Sequence, residues 1–229
     1  MTTQPAILDL YCKAGGAAMG YHRAGFRVVG VDHEPQKHYP FEFHLSDATD
    51  FARKHGRQFD AIHASPPCQK FSSCRHLQTI GGRKPKEYPD LIAPTRLALQ
   101  ATGRPYVIEN VPGAPLQDYI TLCGTCFGLP LYRHRLFESN VFLMAPPHHQ
   151  HRWRTNGNRQ VRQKYGASRS QNSLTTFICA AGHFSTREAA ASAMQIDWMT
   201  RAELTQAIPP AYTLCIGRQL MTATQAHNS

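Results

Sequence analysis

The chain holds 229 residues, enough for one α/β domain and a small appendage. Lys and Arg number 25 against 15 Asp and Glu, and the net charge of +10 favours a polyanion partner such as nucleic acid. Seven Cys, an odd number in a chain too long for a typical disulfide scaffold, argue for a reduced cytoplasmic protein. No apolar run approaches the roughly 20 residues that span a bilayer, so no membrane partner is expected.

Ala6 to Tyr11 reads as a buried strand, followed by a turn at Gly15-Gly16 and a helix to about Ala24. Arg27 to Asp32 reads as a second strand ending in an acid. This strand-turn-helix-strand-acid order predicts the nucleotide-binding half of a doubly wound sheet. Phe59 to Ala64 gives another strand. Pro89 to Thr102 predicts a helix with Pro94 near its start, and Tyr106 to Val111 is again a strand. Strands alternating with helices predict an α/β fold with a Rossmann-like, mostly parallel sheet.

The composition changes near Asn140. From Pro146 to Ser173 the chain is rich in His, Arg, Gln and Asn, and it reads as a loop or a small irregular lobe. Helical patterning resumes at Thr186 to Met194, and Arg201 to Leu220 reads as ordered. The expected division is 1–139 for the α/β body, 140–198 for a small basic lobe and 199–222 for a segment returning to the body.

Two groups stand out chemically. Cys68, in Pro67-Cys68-Gln69, follows one strand and precedes a polar loop. Glu109 ends another strand. A thiol and a carboxylate on two strand ends suit nucleophilic addition to a ring whose nitrogen must be protonated. Directly after Cys68, Lys70, Arg75, Arg83, Lys84 and Lys86 surround Gly81-Gly82. A basic, Gly-hinged segment there predicts a lid closing on a nucleic acid.

The ordered blocks Asp9-Leu10-Tyr11-Cys12-Lys13-Ala14-Gly15-Gly16, Asp32, Asp47, Pro67-Cys68-Gln69, Glu109-Asn110-Val111, Arg133-His134-Arg135 and Leu204 to Pro209 resemble the DNA (cytosine-5)-methyltransferases of the compact phage and bacterial kind. The resemblance implies an S-adenosylmethionine-dependent methyltransferase fold with a small target-recognition lobe. It implies double-stranded DNA as partner, a base flipped out of the stack, and restriction protection as a context. A monomer is expected.

By resemblance, Cys68 attacks C6 of cytosine, Glu109 holds N3 and the exocyclic amine, and Arg133 and Arg135 brace this region. The donor would lie against Tyr11, Lys13, Ala14, Gly15 and Gly16. Asp32 would hold the ribose, with His33 beside it, and Asp47 the adenine amine, with Ala48, Pro66 and Arg218 nearby. Gln69, Lys70, Ser72, Arg75, Arg83, Lys84, Arg152 and Arg154 would contact DNA. Trp153 and Tyr165 interleave with Arg159, Arg162, Lys164 and Arg169, a pattern suited to backbone contact.

Two positions depart from the family pattern. Lys13 stands where relatives have Gly, and Arg218 where they carry Asn. Either cation could grip an extra carboxylate, which leaves carboxy-S-adenosylmethionine, and carboxymethyl transfer, as an alternative. An RNA cytosine methyltransferase of the same fold also stays open. A catalytically silent DNA-binding relative would lack the thiol, the carboxylate or the donor acids, and this chain retains all of them. Cys123-Gly124-Thr125-Cys126 has C-x-x-C spacing, with His148, His149 and His151 downstream. The resembled family does not call for zinc, and no metal is expected.

Overall fold

The computed structural model describes residues 4–71, 88–148, 151 and 186–228. The strands are β1 (Ala6–Leu10), β2 (Arg27–Asp32), β3 (Glu42–Leu45), β4 (Ala61–Ala64), β5 (Tyr106–Asn110), β6 (Ile120–Leu122) and β7 (Arg135–Ser139). They form one sheet in the order β3-β2-β1-β4-β5-β7-β6. β1 to β5 pair in parallel, and β7 runs antiparallel to both β5 and β6. The predicted α/β, mostly parallel sheet is therefore present, with one reversed strand that the alternating pattern did not announce.

The helices are α1 (Gly16–Arg23), α2 (Ala48–His55), α3 (Ile92–Gln100), α4 (Arg187–Met194), α5 (Arg201–Gln206) and α6 (Pro210–Asn228). Alternating side chains of the strands feed two cores. Leu8, Leu10, Val29, Ile62 and Ile108 pack with Ala52 of α2 and Leu99 of α3. Ile7, Val28, Ala61 and Val107 pack with Tyr21 of α1 and Tyr212 and Ile216 of α6. The sheet is thus a middle layer between helices, and β1, β2, β4 and β5 are buried almost throughout.

Helix α3 is shorter than predicted and carries Pro94 in its first turn, where no intrahelical donor is needed. The predicted helix after Thr186 is α4, and the Thr186 side chain accepts from the Ala189 amide. A Thr200–Glu203 capping box starts α5. Helix α4 lies inside the expected 140–198 lobe, yet Ala190 and Met194 pack with Ala14, Leu131 and Leu204 of the body. No helix among the described residues is long and apolar enough to cross a membrane.

Candidate active site

The carboxyl ends of the parallel strands meet at the switch between β1 and β4, where an open α/β sheet leaves a crevice. A cleft of about 630 Å³ opens there. One side is lined by Asp9, Tyr11, Lys13, Ala14, Gly16, Asp32, His33 and Glu34, and the other by Ser65, Pro66, Cys68, Gln69, Glu109 and Arg135. Residues 203 and 205–208 close it from the carboxyl-terminal side.

Cys68 follows β4 and Glu109 sits within β5, the next strand in the sheet. Glu109 faces Phe137 in the antiparallel ladder, so Arg135 occupies the diagonal position on the same face. Arg135 Nε lies 2.9 Å from Glu109 Oε1. Burial raises the Glu109 carboxyl above its ordinary value, opposed by Arg135, Arg133 and a hydrogen bond from Ser65. Burial also raises the Cys68 thiol; the Glu109 charge pushes it further up, and Arg135 pulls it down. Asn110 fixes the preceding loop, because its side-chain amide donates to the Pro66 carbonyl at 2.9 Å.

Behind Glu109 runs a buried polar chain that the sequence reading missed. Tyr21 Oη meets His63 Nδ1 at 2.9 Å, and His63 Nε2 meets Ser65 Oγ at 2.8 Å. Burial depresses the His63 imidazole to about 3, so it is a neutral bridge. The signal was present: His63 and Ser65 are two apart at a strand end and therefore share a face.

On the donor side, Asp32 is buried, and its carboxylate accepts from the amides of Lys13 at 3.2 Å and Glu34 at 3.1 Å. Lys13 adopts φ 44°, a left-handed conformation that suits the Gly expected there by resemblance. Its ammonium bonds Glu34 at 3.1 Å and lies 3.6 Å from Asp32. Gly15 takes φ 82° as the N-cap of α1. A Cβ on Gly16 would sit 2.6 Å from the Ile208 carbonyl, so Gly16 is needed for the close approach of the returning segment. Trp198, also unforeseen, donates from its indole to the Ala14 carbonyl at 2.8 Å.

Several expected residues stand elsewhere. Asp47 caps α2, accepting from the Asp50 amide at 2.9 Å and the Thr49 hydroxyl at 2.6 Å, and like Gly15 and buried Ala48 it is not part of the cleft lining. Arg133 is buried below the cleft and donates to the Thr205 carbonyl at 2.8 Å; burial and the Arg135 charge lower its guanidinium to about 9. Lys70 lies 3.5 Å from Asp90. Arg218 is exposed on α6, outside the lining. Ser72, Arg75, Arg83, Lys84, Arg152 and Arg154 fall outside the described residues.

Asp9 adds a further acid to the donor side. Its Oδ1 is buried without a hydrogen-bond partner, and desolvation raises the carboxyl to about 8. With Asp32 and Glu34 against Lys13, and Asp9 ready to give up its proton beside a cation, the cleft suits a ligand bearing positive charge.

Residues 6–118 match the model of the C-5 cytosine-specific DNA methylase family. That stretch, just under half of the chain, is similar to the family's methylase domain. A curated relative, the type II methyltransferase M.FnuDI of Fusobacterium nucleatum, is 25% identical over 114 residues, which are 47% of this chain and 32% of that protein. The matched stretch thus spans about a third of the relative's length. The fold is similar to that of an E. coli prophage protein assigned as a DNA modification methyltransferase, with TM-score 0.64 and 14% identity over 95% of this chain and 99% of that one. It is also similar to the S. pombe Dnmt2 methyltransferase, with TM-score 0.57 and 13% identity over 99% of this chain and 100% of that one. At this level of identity the two likenesses show a shared fold.

Proposed function

We propose that this chain methylates C5 of cytosine in DNA, with S-adenosylmethionine as donor and Cys68 as nucleophile. The observation that carries this reading is the meeting of Cys68 with the Glu109–Arg135 pair on one wall of a cleft whose other wall is acidic.

The acidic wall fits the donor, whose sulfonium and ammonium groups are cationic and would offset the Asp9 and Asp32 carboxyls. Tyr11, Lys13, Ala14, Gly16, Asp32, His33 and Pro66 would hold it. Asp47, Ala48 and Gly15 act through the turn and helix they shape. Bound there, S-adenosylmethionine supplies an electrophilic methyl group.

The chain's own residues prepare the base. Cys68, as thiolate, adds to C6 of a flipped cytosine. Glu109 gives its raised-pKa proton to N3 and accepts from the exocyclic amine, so ring electrons move toward C5. Arg135 holds the Glu109 carboxylate in place as the charge changes. After C5 is methylated it loses its proton, and the returning electron pair expels Cys68. Gln69 lines the mouth, and the basic stretch within 140–198 is assigned to reading a short DNA target, on its charge and its Trp153 and Tyr165. A monomer acting on duplex DNA suffices for this scheme.

The carboxylated donor gains no support. Lys13 already pairs with Glu34 and Asp32, and Arg218 lies outside the cleft lining.

The test is incubation of the purified chain with S-adenosylmethionine and either duplex DNA or RNA of matched sequence, followed by nucleoside mass spectrometry. The expected product is 5-methylcytosine in DNA. Product in RNA alone, or none in either, overturns the reading.

A further inference from the structure

A second cluster lies where β6 ends and β7 begins, next to Arg135, and none of its side chains takes part in the chemistry above. Leu122 pairs with Arg135 in the antiparallel ladder, so the next residues outward, Cys123 and His134, face each other. His148 and His151 return to the same spot from the chain beyond β7. One donor atom from each of the four lies within 4.8 Å of the others. His134 Nε2 and His148 Nε2 are 3.2 Å apart, and Cys123 Sγ and His151 Nε2 are 3.4 Å apart.

Those two separations are the length of tetrahedral edges around a small metal ion. Zinc bonds of roughly 2.0–2.1 Å to nitrogen and 2.3 Å to sulfur give tetrahedral edges of about 3.3 Å between nitrogens and about 3.5 Å between sulfur and nitrogen. We propose that Cys123, His134, His148 and His151 bind one structural zinc ion. One thiolate and three neutral imidazoles make a closed four-ligand set with no position left for substrate. Tyr132 stacks on the His151 ring at 3.8 Å between centroids, which fixes that ligand's orientation.

The set departs from the sequence expectation of no metal, and from its C-x-x-C spacing. Cys126 is not a member; His134, which no spacing rule singled out, takes its place through the strand pairing. The ion would staple His148 and His151 to the start of β7. That is where the described body gives way to the basic stretch beginning at Arg152, and where Arg135 begins its strand. The site is independent of the proposed methylation.

Metal content of the untagged full chain, purified without chelator, is the direct measurement. About one zinc per chain is expected by inductively coupled plasma mass spectrometry. Cobalt(II) should replace it with an intense tetrahedral ligand-field spectrum and a thiolate-to-metal charge-transfer band. His148→Ala, at an exposed position, and Cys123→Ser should weaken binding by more than the roughly 10–100-fold that an outer-shell partner contributes. Circular dichroism of His148→Ala separates metal loss from unfolding. Cys126→Ser should keep both metal and charge-transfer band. A folded chain that takes up neither zinc nor cobalt at micromolar concentration overturns the proposal. So does binding that is unchanged in His148→Ala and Cys123→Ser.

Discussion

Arg135 Nε approaches Glu109 Oε1 to 2.9 Å, yet the N–H does not aim along the contact, and Oε1 has no directed hydrogen bond. The pair is held by charge rather than by alignment. That leaves the carboxyl free to exchange a proton with a ring nitrogen.

Glu109→Gln separates two roles of one side chain. Loss of the proton donor should lower methyl transfer by about 10²–10⁴-fold. Once ionised, Glu109 also raises the Cys68 thiol, so its replacement lowers that thiol and increases the thiolate fraction at pH values where Glu109 has given up its proton. Alkylation of the Cys68 peptide by iodoacetamide, followed by mass spectrometry, should therefore be faster in the inactive variant. Slower alkylation would show that the two groups do not feel each other.

Ser65→Ala tests the buried polar chain. Ser65 lowers the Glu109 carboxyl through its hydrogen bond, so losing it should raise that carboxyl further. The alkaline limb of kcat/KM, where Glu109 gives up its proton, should then move to higher pH. A shift to lower pH, or a loss of activity equal at every pH, would contradict this role.

Asp9 makes stability fall with pH in the donor-free protein. Its carboxyl ionises near 3.8 when unfolded and near 8 when folded. Below the first value it is neutral in both states. Between the two values the unfolded chain releases the proton that the folded chain retains, so stability drops as pH rises through that window. Urea melts of Asp9→Asn should lack that part of the slope. Parallel curves for the two proteins would rule the assignment out.

Gly16, constrained by close approach, and Lys13, constrained by its left-handed backbone, should respond differently to small residues. Gly16→Ala places a methyl group 2.6 Å from the Ile208 carbonyl and should destabilise by about 1–3 kcal/mol. Lys13→Gly relieves about 1 kcal/mol of left-handed strain. It forfeits an ion pair whose lysine side chain is 38% exposed, worth at most about 1 kcal/mol. The net change in thermal unfolding should be small.

The sequence displays the parallel half of the fold because β1, β2, β4 and β5 are buried on both faces and read as apolar runs. It hides β3, whose Glu42-Phe43-His44-Leu45 is a short and largely exposed edge. It hides β7 because charged Arg135 and Glu138 interrupt the pattern. Buried Glu138 is met by Arg96 of α3 at 2.6 Å and by the Gln117 amide at 2.7 Å, the first a pairing across 42 residues that no local pattern reveals. The candidate site follows the same rule. Cys68, Glu109 and Asp32 were legible from strand-end positions. Ser65 and Asp9 acquire importance through burial and partners, and Asp47 and Arg133 are occupied by contacts visible only in three dimensions.

Covalent trapping reports most directly on whether Cys68 and Glu109 flank one cytosine ring. A duplex carrying 5-fluorocytosine at the recognised cytosine, incubated with S-adenosylmethionine, blocks loss of the C5 substituent and so prevents release of the sulfur. The predicted result is a denaturant-resistant protein–DNA species whose mass equals chain and duplex plus one methyl group in place of the thiol hydrogen, attached at Cys68 and absent in Cys68→Ser. A methylated duplex that forms no such species, or an adduct that persists in Cys68→Ser, would contradict it.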